Sequence, residues 1–175
     1  MDHIFVLRTI LEENVEFNMA LFINFIDFQK AFDSVHRVSL WQILRSYGVP
    51  TKFIRMIKLL YDGFQCCVLH EGEESPWFEV LSGVKQGCLL SPILFLVVID
   101  YIMLRVTENE HRGLPWVGES ILEDVDYADD LALLSDCFAD IQSKTEDLAN
   151  KAKSVGLAIN VNKTKVMRVN TDKRG

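Results

Sequence analysis

The stretch Tyr127-Ala128-Asp129-Asp130 constrains this chain more than any other. Two adjacent carboxylates join two segments of strand character, Ile121 to Tyr127 and Leu131 to Leu134. That pattern predicts a hairpin with an acidic hinge. Like charges about 4 Å apart repel by about 4 kcal/mol at an effective dielectric near 20. A bound divalent cation offsets this, because the ion's own charge inverts the local electrostatics. The expectation is a magnesium site used for phosphoryl transfer. The rest of the chain must then supply a third carboxylate, a nucleotide pocket and a scaffold.

A chain of 175 residues is long enough for one domain with its own core. Its 49% hydrophobic and 25% charged residues are those of a globular protein. The four cysteines, Cys66, Cys67, Cys88 and Cys137, form no C-x-x-C pair, which points away from zinc and disulfides and toward a reducing, intracellular setting, nuclear or cytoplasmic. The four histidines are scattered. No signal peptide is expected, and the longest apolar run, Ile93 to Ile99, is far too short to span a membrane. The net charge of −7 argues against nucleic acid, because phosphate binding needs clustered lysine and arginine.

Along the chain, Asp2 can cap a helix carrying Ile4, Phe5, Leu7, Ile10 and Leu11. Leu21 to Ile26 reads as a strand buried on both faces and ending at Asp27. Gln29 to Tyr47 is mostly helical, and a second helix with Phe53, Ile54, Ile57, Leu60 and Tyr61 inward closes at Gly63. Cys66 to Leu69 and Trp77 to Leu81 read as a hairpin. Ser91-Pro92 starts a helix that is apolar almost all round and therefore central. Glu108 to Gly118 is a polar loop, and Ala139 to Val155 is an amphipathic helix with Ile141, Leu148, Ala149, Ala152 and Val155 inward. Leu157 to Val161 and Val166 to Val169 read as a closing strand pair. This order gives an α+β fold, a mainly antiparallel sheet with helices packed on one face. In it a strand ending at Asp27 can lie beside the hairpin of Asp129 and Asp130.

Singly, these signals are weak. Asp27 alone is a strand-end cap, the aspartate pair is turn chemistry, and Lys85-Gln86-Gly87 is a common approach to a helix. In combination they resemble a known family. Phe25-Ile26-Asp27-Phe28-Gln29-Lys30-Ala31-Phe32-Asp33-Ser34-Val35 is similar to motif A of reverse transcriptases from non-LTR retrotransposons of LINE and jockey type. Ser82-Gly83-Val84-Lys85-Gln86-Gly87-Cys88-Leu89-Leu90-Ser91-Pro92 resembles their motif B, and Tyr127-Ala128-Asp129-Asp130 their motif C. Gly156-Leu157-Ala158-Ile159-Asn160 with Lys163-Thr164-Lys165 resembles motif D.

The resemblance implies a polymerase palm, ferredoxin-like in plan, spanning residues 1–175 as a single partial domain. Family members carry fingers motifs before this region and a thumb after it, and neither is expected in the chain. It also implies RNA-directed DNA polymerisation on an RNA template, extending a DNA primer with deoxynucleoside triphosphates and two magnesium ions, manganese being the alternative. Asp27 and Asp129 would bind the ions, the Phe28 carbonyl would help, and Asp130 would support them. Phe32 would be the steric gate against a ribose 2′-hydroxyl. Gln86 and Gly87 would pack on the nucleotide and template, the glycine allowing close approach. Lys163 would be the general acid for pyrophosphate, with Lys165 as the substitute. Asp33, Asp124, Asp126 and Asp136 read as solvated or capping. The competing readings are a non-catalytic retrotransposon-derived palm remnant serving as an interaction module and a palm-type nucleotide cyclase. The cyclase lacks the Gln86-Gly87 and Phe32 pattern.

Overall fold

The structure is a computed structural model that describes residues 3–108, 112–116, 120–127 and 130–171. The chain runs through α1 (His3–Glu16), β1 (Leu21–Ile26), α2 (Ala31–Ser34), α3 (Arg37–Ser46) and α4 (Thr51–Tyr61). It continues through β2 (Gln65–Cys66), β3 (Leu69–His70), β4 (Glu73–Glu74) and β5 (Phe78–Glu79) to α5 (Ser91–Thr107). The remaining elements are β6 (Leu114–Pro115), β7 (Ile121–Leu122), β8 (Asp124–Tyr127), β9 (Asp130–Ser135), α6 (Phe138–Ser154) and β10 (Lys165–Val169).

The central sheet is antiparallel with strand order β10-β1-β9-β8. Alternation along β1 and β9 divides two cores. Phe22, Ile26, Leu131 and Leu133 face α3, α5 and α6, whose Leu40, Phe95, Val98 and Leu148 complete the larger core. Leu21, Ile23, Ala132 and Leu134 face the other way and meet Val6 and Ile10 of α1. Leu133 and Leu134 are both fully buried, one on each face. Each contributes about 1.5–3 kcal/mol of burial. The three principal helices therefore share one face, as the α+β plan requires, and α1 adds a cover over the opposite face.

Several local expectations change. The helix expected over Gln29 to Tyr47 breaks into α2 and α3, because Val35 is extended with ψ 124°. Residues 157–161 do not pair with 166–169. Instead β10 adds to the free edge of β1, and Ile159 makes one isolated bridge to Phe28. The strand expected over Ile121 to Tyr127 divides at Glu123, and its first part pairs with β6 from the expected loop. On α4, Phe53 and Leu60 are exposed rather than inward. On α6, Lys144 is buried at 1% exposure while Ala149 is at the surface. The cap expected at Asp2 lies outside the described residues.

Candidate active site

Asp27 follows the last residue of β1. Odd-numbered β1 residues and even-numbered β9 residues share the α1-side face. The β1–β9 register ends with Ile26 opposite Leu131, and Asp27 and Asp130 are the next residues of the two segments beyond that last pair. Across the hairpin, Tyr127 pairs with Asp130. Asp129 lies outside the described residues. Among the described residues no three His, Cys, Asp or Glu side chains gather as a metal-binding group.

The main chain at Asp27 is held from one side. Its N–H donates to Thr164 Oγ1 at 3.3 Å, and its carbonyl accepts from Asn160 N–H at 2.7 Å. The Gln29 N–H donates to Ala158 O at 2.8 Å. A trans peptide points its carbonyl opposite to the next N–H, and no cis bond occurs among the described residues. The Phe28 carbonyl therefore faces away from residues 158–160. The Asp27 Oδ1 is buried and finds no hydrogen-bond donor among the described residues. Its Oδ2 lies 3.8 Å from Lys163 Nζ, with the two side chains 38% and 70% exposed. A pair that open is worth no more than about 1 kcal/mol, and it leaves Oδ1 unsatisfied. Lys165 is exposed on β10 opposite Phe25, away from this contact.

Phe32 is half-buried and stacks on Phe95 with ring centroids 4.7 Å apart. It thus belongs partly to the core. Between Asp27 and Phe32, Lys30 adopts a left-handed φ of 45°, an unusual conformation for a side chain with a Cβ. The segment after Ser82 is knitted to this stretch. Gly83 N–H donates to Val35 O at 2.8 Å, and Val84 N–H to Phe32 O at 2.7 Å. Gln86 Nε2 donates to Asp33 Oδ1 at 3.1 Å. The glycine packed tightly against the chain's own backbone is Gly83. A Cβ on Gly83 would stand 2.6 Å from the Asp33 backbone, whereas a Cβ on Gly87 would meet nothing within 4 Å. Gly87 instead leaves open space at φ +78°.

A buried ionic network braces the hairpin from the helix side. Lys144 Nζ on α6 lies 2.6 Å from Glu123 Oε2 and donates to Leu134 O at 2.6 Å and Glu123 O at 3.1 Å. The Arg112 N–H donates to Glu123 Oε1, and its guanidinium reaches Asp147 Oδ2 at 2.8 Å. Asp124 pairs with Leu133, so it faces these helices. It is not a solvated carboxylate: burial, then the neighbouring Asp126, pushes it up to about 6. Thr164, Gly83 and Lys144 were not singled out by sequence reasoning. Thr164 was available within the motif D stretch. A buried lysine carries no sequence signal.

Residues 6–173 match the reverse transcriptase (RNA-dependent DNA polymerase) family. The chain belongs to that family. It is 32% identical over 162 residues to the retrovirus-related Pol polyprotein from type-2 retrotransposable element R2DM of Drosophila melanogaster, covering 93% of this chain and 15% of that protein. It is also 32% identical over 111 residues to the RNA-directed DNA polymerase from mobile element jockey of Drosophila funebris, covering 63% of this chain and 11% of that one. These relatives are non-LTR retrotransposon reverse transcriptases, and the chain spans a small part of their length. Among solved structures, a telomerase from Candida tropicalis superposes with a TM-score of 0.69 at 16% identity, covering 98% of this chain and 29% of that one. At that identity the likeness concerns the fold, a palm-type α+β arrangement.

Proposed function

We propose that this reverse transcriptase chain forms the catalytic palm of an RNA-directed DNA polymerase. Such a palm extends a DNA primer on an RNA template, joining the primer 3′-oxygen to the α-phosphate of a deoxynucleoside triphosphate and releasing pyrophosphate. The observation that carries it is Asp27 Oδ1, buried and lacking a donor among the described residues, just past the end of β1, whose neighbour β9 begins at Asp130. A charged oxygen left in that state is costly, and a divalent cation satisfies it. The donor set is all oxygen, which suits magnesium or manganese.

Asp27, Asp130 and the Phe28 carbonyl would hold such ions together with Asp129. When bound, two ions stabilise the attacking and leaving oxygens of an in-line displacement. The chain's own groups divide the remaining work. Thr164 and Asn160 fix the Asp27 backbone. Lys163 stands beside the carboxylate, where it can hand a proton to the departing pyrophosphate oxygen. The Phe32 ring, fixed on Phe95, closes the space a ribose 2′-hydroxyl would need. Gln86 and the open face of Gly87 border the nucleotide.

The test is calorimetric titration of the 175-residue chain with manganese and a deoxynucleoside triphosphate, beside primer extension on RNA by an R2DM polyprotein carrying this segment in place of its own. Asp27→Asn should abolish both signals while leaving the circular dichroism spectrum unchanged. Full extension by the Asp27→Asn chimera would refute the assignment.

A further inference from the structure

A chain with a net charge of −7 nevertheless gathers cations on one surface. Arg55 and Lys58 of α4 and Arg37 of α3 line a groove of about 370 Å³. Its floor is aromatic. Arg37 lies 4.9 Å from the centroid of the Tyr61 ring, and Lys58 lies 5.8 Å from that of Trp41. Lys85 reaches the same Tyr61 ring at 5.6 Å and Phe64 at 4.1 Å. Trp41 and Tyr61 are buried and packed edge to face, so the floor is rigid.

None of the four cations forms an ion pair with a described residue. Asp62 lines the groove but comes within 4 Å of none of their nitrogens. Arg37 spends two of its donors on the Gly83 and Ser82 carbonyls, at 2.9 and 3.1 Å. Four positive charges, three of them held over π faces, repel one another, and aromatic contact offsets this only in part. An external anion would complete the arrangement.

We infer that Arg37, Arg55, Lys58 and Lys85 bind the phosphodiester backbone of a single-stranded nucleic acid. The floor rings are buried, so they fix the cations rather than stack on bases. The site therefore reads phosphates and is indifferent to sequence. Arg37 and Lys85 tie it to the loop that carries Gln86, which places a strand bound here directly behind the nucleotide-facing residues. The choice of nucleic acid over another polyanion rests on the polymerase reading. The surface is built from α3, α4 and the loop carrying Lys85.

The experiment is fluorescence anisotropy of the 175-residue chain with labelled oligouridylate, oligothymidylate and poly-glutamate of matched charge, across a salt series. Each phosphate neutralised on a single strand contributes about 0.7 to the salt exponent. Four contacts give roughly a fifty-fold loss between about 50 and 200 mM salt, and two give about seven-fold. Arg55→Ala/Lys58→Ala should show the smaller dependence, and Arg55→Glu/Lys58→Glu should abolish binding. Lys151→Glu/Lys153→Glu on α6 makes the same charge change elsewhere and should leave binding intact. The RNA and DNA arms identify which strand is preferred, and binding of either supports the site. Equal binding of poly-glutamate, equal loss in the α6 variant, or no effect of the α4 variants would overturn it. Manganese binding is read separately. A chain that binds oligonucleotide here but no divalent ion keeps this site and loses the polymerase reading. The converse result loses this site alone.

Discussion

Replacing Lys144 by methionine tests whether the buried network braces the hairpin. The ammonium is 1% exposed, its partner Glu123 is 9% exposed, and their closest atoms are 2.6 Å apart. Methionine fills similar volume but supplies no charge and no donor. The Leu134 and Glu123 carbonyls each lose a hydrogen bond, and the Glu123 carboxylate loses the ammonium 2.6 Å away. Breaking one partner of a buried pair costs about 3–5 kcal/mol, because the other charge remains in low dielectric. That is a large share of the roughly 5–15 kcal/mol that holds a domain together. Urea unfolding followed by circular dichroism should show it as a midpoint lowered by about 2 M, at about 2 kcal/mol per molar. Adding Glu123→Gln removes the stranded charge and should recover about 2 kcal/mol. A Lys144→Met loss below about 1 kcal/mol, or a double variant no better than the single, would refute the bracing argument.

Two further predictions follow from local geometry. Burial raises Asp124 from 3.8 to about 6, so between these values the folded chain binds more protons than the unfolded one. Stability should then fall as pH rises through that window, by up to about 3 kcal/mol. Asp124→Asn should be flat across pH 4 to 7 by urea unfolding and more stable than the parent at pH 7; a parent whose stability rises over the same range would contradict this. Gly83→Ala meets both a left-handed φ of +77° and a backbone 2.6 Å away, while Gly87→Ala meets only the φ of +78°. Thermal unfolding should show about 1 kcal/mol lost at Gly87 and several times that at Gly83; equal losses would remove the close-approach role from Gly83.

What the sequence made legible was local. The apolar run of β1, the Pro92 start of α5 and the period of α6 each answer to residues near in the chain, although Leu90 rather than Ser91 takes the N-cap position of α5. What escaped depends on distant partners. Lys144 reads as a solvent-facing lysine until Glu123 and the Leu134 carbonyl surround it. Glu123 reads as one more polar residue of a strand, yet its inward turn divides β7 from β8. β10 and residues 157–161 look like mutual partners, because nothing local says that β1 offers a better edge. The basic groove was hidden by composition, since a net charge averages away a cluster formed by residues 37, 55, 58 and 85.

The place of β1 in the sheet sets the order in which the site can be assembled during synthesis. β1 lies between β9 and β10, and the donor pair that fixes Asp27 to Thr164 joins positions 137 residues apart. One edge of Leu21–Ile26 stays open until Leu131 to Ser135 have left the ribosome, and the other until Lys165 to Val169 have. Contacts of such separation form slowly, and an unpaired apolar strand is prone to aggregate meanwhile. A nascent chain stopped before Lys165 would expose one open edge of β1, and one stopped before Asp130 would expose both. The carboxylate that the sequence supplies early is therefore among the last to be set in place.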